Sequence, residues 1–411
     1  MTRATLAVLL CTGFAAAADP DPKSLAVPAD TTARATDLVG SLASREYAVR
    51  VEATEELRKL GRFALPTLRD ALAANSNPEI RLRIEMLLPT AAADDLRARV
   101  ECFLADGDGK YQHDLPGAGV YFTVAGRTTA AEKLFRDMMG SPNRDLIAAL
   151  DDREADLNRR YLARRAELRL SATGSHTTGG ADAPNATDLA ALLLAESRLP
   201  DKPATTVRGV RTVSVFRNSL LQNRVKDALE SDTRGDALAA VLTAWMETRD
   251  DYLTIYYAVS AMTRADSPLA LPAARKQATG EVAGGSTTYR GRAIAYIGRF
   301  GTAADLRILE KLFDDRGPSG TVFLGGAPRK RTVIQVRDLA LAMALLLTEQ
   351  EPEDYGITNR YAATAKPTVT QKYMYSAYYF DAEDDDKADE KRDAAFKKYA
   401  AWKAKQTKPK K

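Results

Sequence analysis

Few residues in this sequence have the chemistry that catalysis or metal binding requires. The 411 residues include two histidines, His113 and His176, and two cysteines, Cys11 and Cys102. A zinc site needs three or four nitrogen, sulfur or oxygen ligands, and both histidines stand in polar, Gly-rich stretches that supply no such set. We therefore predict no metal site, no cofactor and no catalytic residue.

The segment Asp106-Gly107-Asp108-Gly109 resembles half of a calcium-binding loop. Such a loop needs an oxygen ligand at its fifth position and a Glu at its twelfth. In this sequence Lys110 and Gly117 stand at those two positions. We therefore interpret the segment as a turn.

The remaining reactive side chains lack the context of a nucleophile. His113 precedes Asp114, but adjacent side chains rarely face each other, and the sequence contains no G-x-S-x-G motif. Cys102 ends an apolar helical pattern that begins at Ala91, which predicts a buried, unreactive thiol.

The elements that carry these residues are predicted to be short amphipathic helices. In residues 37–88, apolar side chains recur every three or four positions, for example Val49, Ala53, Leu57 and Leu60. Gly61 is a C-cap candidate, and Asn77 followed by Pro78 is typical of a helix start. Helices this short bury their stripes only by stacking on neighbours.

Internal repetition favours such stacking. Ala64-Leu65-Pro66, followed by Arg69, recurs as Ala270-Leu271-Pro272 followed by Arg275. The pattern Arg-x-x-Ala recurs along the chain, for example at Arg50/Ala53, Arg292/Ala295 and Arg337/Ala340. The last two of these copies lie 45 residues apart, within the period of HEAT and armadillo arrays.

Three segments resemble exported HEAT-repeat proteins of planctomycete bacteria: FLADGDGKYQHDLPG, VRDLALAMALLLTEQEPEDYG and FDAEDDDKADEKRDAAFKKYAAWK. The resemblance implies an all-α fold, namely an α-solenoid of diverged HEAT-like repeats with an irregular middle and a C-terminal capping helix. It implies a scaffold role and supplies no catalytic residues. Residues 118–122 depart from it, because they have a more β-like composition than a helix would need.

The N-terminus predicts export. Residues 1–18 combine Arg3, an apolar run and small residues at Ala16 and Ala18, as in a signal peptide cleaved after Ala18. Cys11 suggests a lipoprotein alternative, although Leu10 stands where a lipobox has a small residue. We expect a soluble periplasmic or extracellular protein with no transmembrane span, since no other segment approaches the roughly 18 apolar residues of a membrane helix.

The remaining pattern divides the chain into segments. After the signal peptide and a linker at 19–35, we predict N-terminal HEAT-like repeats at 36–90, a helical region with a Gly-rich loop at 91–170, a flexible joint and short helix at 171–206, C-terminal HEAT-like repeats at 207–350, and a Tyr-rich segment with a terminal helix and basic tail at 351–411. Residues 206–216 and 321–324 are candidate short strands.

The C-terminal sixty residues have two interpretations. Six tyrosines and the aromatic edge of the last helix form either a binding surface or a cap on the final repeat: Tyr355, Tyr361, Tyr373, Tyr375, Tyr378, Tyr379, Phe396, Tyr399 and Trp402. Residues 387–411 contain ten Lys/Arg against three Asp/Glu, so the tail is basic.

These observations predict a non-enzymatic scaffold of the cell envelope that binds a protein partner on a helical-repeat surface. The alternative is an enzyme of unknown reaction, of the HEAT-like lyase type, with a site in residues 94–235. A third hypothesis is a salt-sensitive anchor formed by the basic tail. No nucleic-acid partner is expected, because an exported chain rarely meets one.

Overall fold

Apolar stripes at helical spacing, separated by Gly, Pro and polar turns, produce a mostly helical chain. A computed structural model describes residues 18–168, 184–200, 223–249, 251–282, 287–324, 330–361, 368–382 and 384–406. The prediction of a mostly helical, all-α protein is confirmed. Residues 1–17 of the predicted signal peptide, His176 and the candidate strand at 206–216 lie outside the described residues.

The chain divides into two compact units, Met1–Ala118 and Gly119–Lys411. The described helices of the first unit are α1 (Ala29–Ser41), α2 (Tyr47–Leu60), α3 (Leu65–Ala74) and α4 (Pro78–Ala105). Both α1 and α4 contact α2 and α3. Leu42, Leu57, Leu68 and Ile84 lie in their shared core. The helix α1 begins at Ala29, inside the segment predicted to be a linker.

Two of the predicted helix signals, the start at Asn77-Pro78 and the end at Gly61, are observed. The Asn77 side chain accepts a hydrogen bond from the Glu79 amide, with Pro78 at the first helical position. Gly61 ends α2 with a φ of 53°, a conformation that favours glycine. The helix predicted to begin at Ala91 is not separate, because α4 continues through Pro89 to Ala105.

The second unit contains the remaining elements. Its described helices are α5 (Ala118–Ala125, which begins at the boundary), α6 (Thr129–Met139), α7 (Arg144–Ala148), α8 (Glu154–Glu167), α9 (Ala186–Arg198), α10 (Asn223–Leu229), α11 (Gly235–Glu247), α12 (Tyr252–Arg264), α13 (Leu271–Thr279), α14 (Thr287–Phe300), α15 (Leu306–Glu310), α16 (Val336–Leu347), α17 (Val369–Lys372) and α18 (Asp385–Gln406). Contacts mostly join neighbours along the chain, such as α12 with α13 and α13 with α14, while α14 also contacts α16.

In the part of the chain that the structure describes, two short antiparallel strand pairs interrupt the helices. The strands are β1 (Pro318–Leu324) with β2 (Lys330–Gln335), and β3 (Thr358–Asn359) with β4 (Tyr378–Tyr379). The first pair contacts both α14 and α16. The predicted strand at 321–324 is therefore confirmed.

Residues 118–122 are helical despite their β-like composition. Tyr121 is fully buried in α5, where its hydroxyl donates to the Ala131 carbonyl at 2.8 Å. Its ring stacks on Phe135 with centroids 5.2 Å apart. Tertiary packing of this kind overrides intrinsic strand preference.

The helix α14 packs closely on α16 at Gly298. A Cβ atom at this position would lie 2.8 Å from the Met343 Cβ of α16 and still closer to its sulfur. Contacts that short do not occur between real side chains, so the packing of α14 on α16 requires glycine here.

The aromatic edge of α18 packs on the chain itself. Phe396 and Tyr399 lie with ring centroids 5.0 and 5.4 Å from that of Phe313. The Tyr399 hydroxyl donates to the Glu310 carboxylate at 3.0 Å. The aromatic edge of the last helix therefore packs against residues at and just after α15.

Within the part of the chain that is described, none of the helices combines the length and the apolar character needed to cross a membrane.

Candidate interaction surface and buried thiol cluster

The segment that resembles a calcium loop forms a turn organised by its first aspartate. The Asp106 carboxylate accepts hydrogen bonds from the Lys110 and Tyr111 amides, both at 2.9 Å. Burial raises the pKa of Asp106, but these amides and the nearby His113 outweigh it, so the pKa lies below its ordinary value. The carboxylate is therefore ionised at neutral pH and holds the turn closed.

His113 lies beside Asp106 and Cys102 rather than beside Asp114. Its Nε2 atom is 3.1 Å from the Asp106 carboxylate, and its Nδ1 atom is 4.0 Å from the Cys102 sulfur. The imidazole is 7% exposed, whereas the Asp114 side chain is fully exposed. We call Cys102, Asp106 and His113 the thiol cluster.

The thiol cluster has the connectivity of a Cys-His-Asp triad, which the sequence analysis missed. One local signal was available. Cys102 and Asp106 are four residues apart at the end of α4, so they project from neighbouring turns of the same face. His113 comes back beside these two residues because of the turn that Asp106 closes. Sequence spacing alone does not reveal this turn.

The environment of Cys102 keeps its thiol protonated. The Sγ atom donates to the Pro20 carbonyl at 3.4 Å, and the residue is 1% exposed. Burial raises the pKa of Cys102, and the carboxylates of Asp19, Asp21 and Asp106 raise it further. The cluster therefore has the connectivity of a triad but lacks a thiolate and an open path to the sulfur.

Among the described residues, small cavities lie between packed helices. One of about 30 Å³ separates α11 from α13, and one of about 10 Å³ lies among α2, α3 and α4. Ligand pockets usually measure roughly 300 to 1,000 Å³. These two cavities are of the size that water molecules fill.

A half-buried cluster of tyrosines, most of them on α12 and α14, lies beside an arginine of α14. We call it the Tyr-Arg surface, and its members are Tyr252, Tyr256, Tyr257, Tyr289, Arg292 and Tyr375. The Tyr289 ring lies with its centroid 4.4 Å from that of Tyr256 and 5.6 Å from that of Tyr252. Tyr256 and Tyr257 pack edge to face at 5.0 Å.

Arg292 connects the helices of this surface to the C-terminal segment. Its guanidinium carbon lies 5.0 Å from the ring centroids of both Tyr256 and Tyr375. Its Nη1 donates to the Ser260 hydroxyl at 3.4 Å. Burial raises the pKa of the Tyr256 phenol, so this ring stays neutral beside the cation.

The C-terminal tyrosines differ in how deeply they are buried. Tyr355, Tyr378 and Tyr379 are buried. Tyr375 instead lies half-buried against Arg292. The contact of Tyr375 with the residues of α12 and α14 was not predicted from the sequence, because the residues of this surface are widely separated along the chain.

Comparisons of this chain with protein-family models, with curated proteins and with solved structures found no match.

Proposed function

We propose that this protein is a non-enzymatic scaffold of the cell envelope, built from HEAT-like helical repeats, that binds a protein partner on the Tyr-Arg surface. The observation that carries this proposal is the surface itself. Tyrosine and arginine are the side chains most enriched at energetically important positions of protein interfaces. Here five tyrosines and one arginine gather in a half-buried patch.

The repeated sequence pattern supports the HEAT-like part of the proposal. In both copies of Ala-Leu-Pro, a 3-10 turn leads into an α-helix whose second residue is the proline. The alanines Ala64 and Ala270 are both fully buried at this junction. The same three residues therefore perform the same structural task in each unit, as expected of diverged copies of one repeat.

An affinity capture tests the binding function. Protein lacking residues 1–18 is immobilised and exposed to envelope extract at low and high salt, and retained proteins are identified. We expect a stoichiometric partner that survives high salt and is lost when Tyr256 and Tyr289 are both replaced by alanine. Tyr47→Ala is the matched control, because Tyr47 is an exposed tyrosine of the other unit. Equal retention by the double variant and the control would contradict the proposal.

The thiol cluster is the basis of a second candidate function, an enzyme with a site within residues 94–235. Its supporting observation is the alignment of Cys102, His113 and Asp106. A catalytic thiol would react with iodoacetamide with a pH midpoint well below the ordinary value of about 8.5. We expect Cys102 in folded protein to react far more slowly than in urea-unfolded protein. Rapid alkylation of the folded protein near neutral pH would favour the enzyme.

A further inference from the structure

Arg50, Arg292 and Arg337 occupy the same position in three copies of the Arg-x-x-Ala pattern. In each copy the alanine is buried in a helix: Ala53 in α2, Ala295 in α14 and Ala340 in α16. The arginine lies three residues earlier, nearly one turn toward the helix start. The three copies therefore allow a comparison of what each arginine binds.

Two of these arginines pair with a carboxylate from another helix. Arg50 lies 3.8 Å from the Glu79 carboxylate of α4. Arg337 lies 2.8 Å from the Asp389 carboxylate of α18. In both cases the positive charge of the arginine is paired with the carboxylate of an Asp or Glu from another helix.

Arg292 has no such partner among the residues that the structure describes. Its contacts there are the rings of Tyr256 and Tyr375 and the Ser260 hydroxyl. A guanidinium carries five N–H donors, and aromatic rings satisfy its charge without accepting conventional hydrogen bonds. Arg292 is thus a half-buried cation that the two aromatic rings hold in place, and the described residues do not use all of its N–H donors.

We propose that Arg292 is a carboxylate-binding site, and that the carboxylate belongs to an Asp or Glu side chain of a partner polypeptide. This inference rests on the proposed binding function of the Tyr-Arg surface and names the chemistry of the partner. The guanidinium forms paired hydrogen bonds with a planar carboxylate. The surrounding tyrosine rings bury the apolar side chains on either side of the acid and exclude water from the ion pair.

Charge complementarity selects an acidic segment, and the aromatic rings select a polypeptide. A cation alone is enough to bind a small solvated anion. Tyrosine rings beside the cation add binding free energy when they cover apolar surface of the ligand, which a polypeptide provides. Partial burial also lowers the local dielectric and strengthens the ion pair relative to one in bulk water.

Peptide selection on the full chain tests the inference. Random 12-residue peptides displayed on phage are selected on the immobilised protein, and the best peptide is synthesised with its acids intact and with each replaced by its amide. Dissociation constants are measured by fluorescence anisotropy against the wild type, Arg292→Gln and Arg292→Lys. Arg153→Gln is the matched control, because Arg153 is a highly exposed arginine of the same unit.

We expect selected peptides to be enriched in Asp or Glu beside an aromatic or aliphatic residue. Arg292→Gln is expected to weaken the acidic peptide by roughly ten- to a hundredfold and to leave the amide analogue unchanged, as for hydrogen bonds to charged groups. Arg292→Lys keeps the charge but loses the planar fork, so an intermediate loss is expected. The thermal midpoint of each variant shows whether it remains folded.

The outcomes separate the inference from the proposed function. Peptides that depend on Tyr256 but bind equally well to wild type and Arg292→Gln would overturn the carboxylate site and leave the interaction surface standing. Absence of any selected peptide that distinguishes Tyr256→Ala from wild type would overturn both. Tighter binding of the oligonucleotide dT12 than of the acidic peptide, lost in Arg292→Gln, would overturn the polypeptide assignment.

Discussion

Arg392 and Asp338 form a two-pronged ion pair that is almost completely buried. The Arg392 Nε and Nη2 atoms donate to the two Asp338 carboxylate oxygens at 2.9 and 3.1 Å. The side chains are 4% and 0% exposed. Asp338 also accepts from the Gln335 amide and thereby caps α16. The pair joins the terminal helix α18 to the start of α16.

Replacing Arg392 with methionine should destabilise the second unit by about 3 to 5 kcal/mol, because it leaves a buried carboxylate without its partner. Denaturant unfolding followed by tryptophan fluorescence measures the loss. Lys397→Gln is the control, since Lys397 is an exposed residue of the same helix. A change below about 0.5 kcal/mol for Arg392→Met, the range of ordinary surface substitutions, would contradict this role.

The same pair affects how the basic tail should be tested. Deleting residues 387–411 would remove Arg392 together with the positive charge, so lost binding would have two causes. Replacing the exposed Lys397 and Lys405 with glutamine lowers the charge and keeps the ion pair. If the tail is a salt-sensitive anchor, binding to anionic vesicles should fall in this variant while its thermal midpoint is retained.

Asp305 should contribute to stability in a pH-dependent way. Burial raises the pKa of Asp305, but two hydrogen bonds from Arg275 and one from the Thr302 amide outweigh it and lower the pKa below its ordinary value. The folded protein therefore keeps this charge to lower pH than the unfolded chain does. Its stabilising effect is present above about pH 4 and is lost as the pH falls through the lowered pKa.

Asp305→Asn should therefore lower the free energy of unfolding by about 1 to 3 kcal/mol at neutral pH, and the difference from wild type should shrink below about pH 4. Unfolding series between pH 2 and pH 7 measure this difference. Asp314→Asn serves as the control, because Asp314 is exposed nearby. A difference from wild type that stays constant down to pH 2 would disprove the assignment.

Two glycine substitutions should have opposite effects. Gly298→Ala places a methyl group against Met343, so the overpacking should cost about 1 to 3 kcal/mol or more. Gly40 lies in α1 with no atom near its would-be Cβ, so Gly40→Ala should stabilise by up to about 1 kcal/mol through helix propensity. Thermal unfolding of both variants measures the contrast. Stabilisation by Gly298→Ala would mean that α14 and α16 are less tightly packed than described.

The turn closed by Asp106 should loosen when its charge is removed. Asp106→Asn weakens the acceptor of the Lys110 and Tyr111 amides, so we expect hydrogen exchange of these amides to accelerate at least tenfold. Asp114→Asn should leave both amides unchanged, because its carboxylate is fully exposed. NMR measurement of the exchange rates of the Lys110 and Tyr111 amides in both variants tests this expectation. Similar exchange rates in the two variants would show that the turn does not depend on Asp106.

Local patterns were sufficient to predict α2, α3 and the start of α4, but not the start of α1, which lies in the predicted linker. The stripe from Val49 to Leu60 and the Asn77-Pro78 start are encoded within a few residues, so α2 and α4 begin or end where the sequence indicates. The continuation of α4 through Pro89 was not predicted, because it depends on Leu87 and Ala91 packing into a core formed by other helices.

The candidate sites were harder to predict because they are assembled by tertiary contacts. Tyr256, Arg292 and Tyr375 come from three separate segments. Tyr256 and Arg292 each resemble an ordinary residue of a helical pattern, and Tyr375 was singled out only as a member of the Tyr-rich C-terminal segment. The thiol cluster was only partly accessible. Its residues were all considered, but His113 was weighed only against its neighbour Asp114, a pair that was rejected, and not against Asp106 across the turn.

The position of Cys102 allows unfolding of the two units to be followed separately with residues that the chain already contains. The buried thiol belongs to the first unit, whereas both tryptophans of the chain, Trp245 and Trp402, belong to the second. In protein without Cys11, the rate of thiol labelling therefore reports opening of the first unit, and tryptophan emission reports unfolding of the second. The stability of each unit becomes measurable within one intact chain, with no added label.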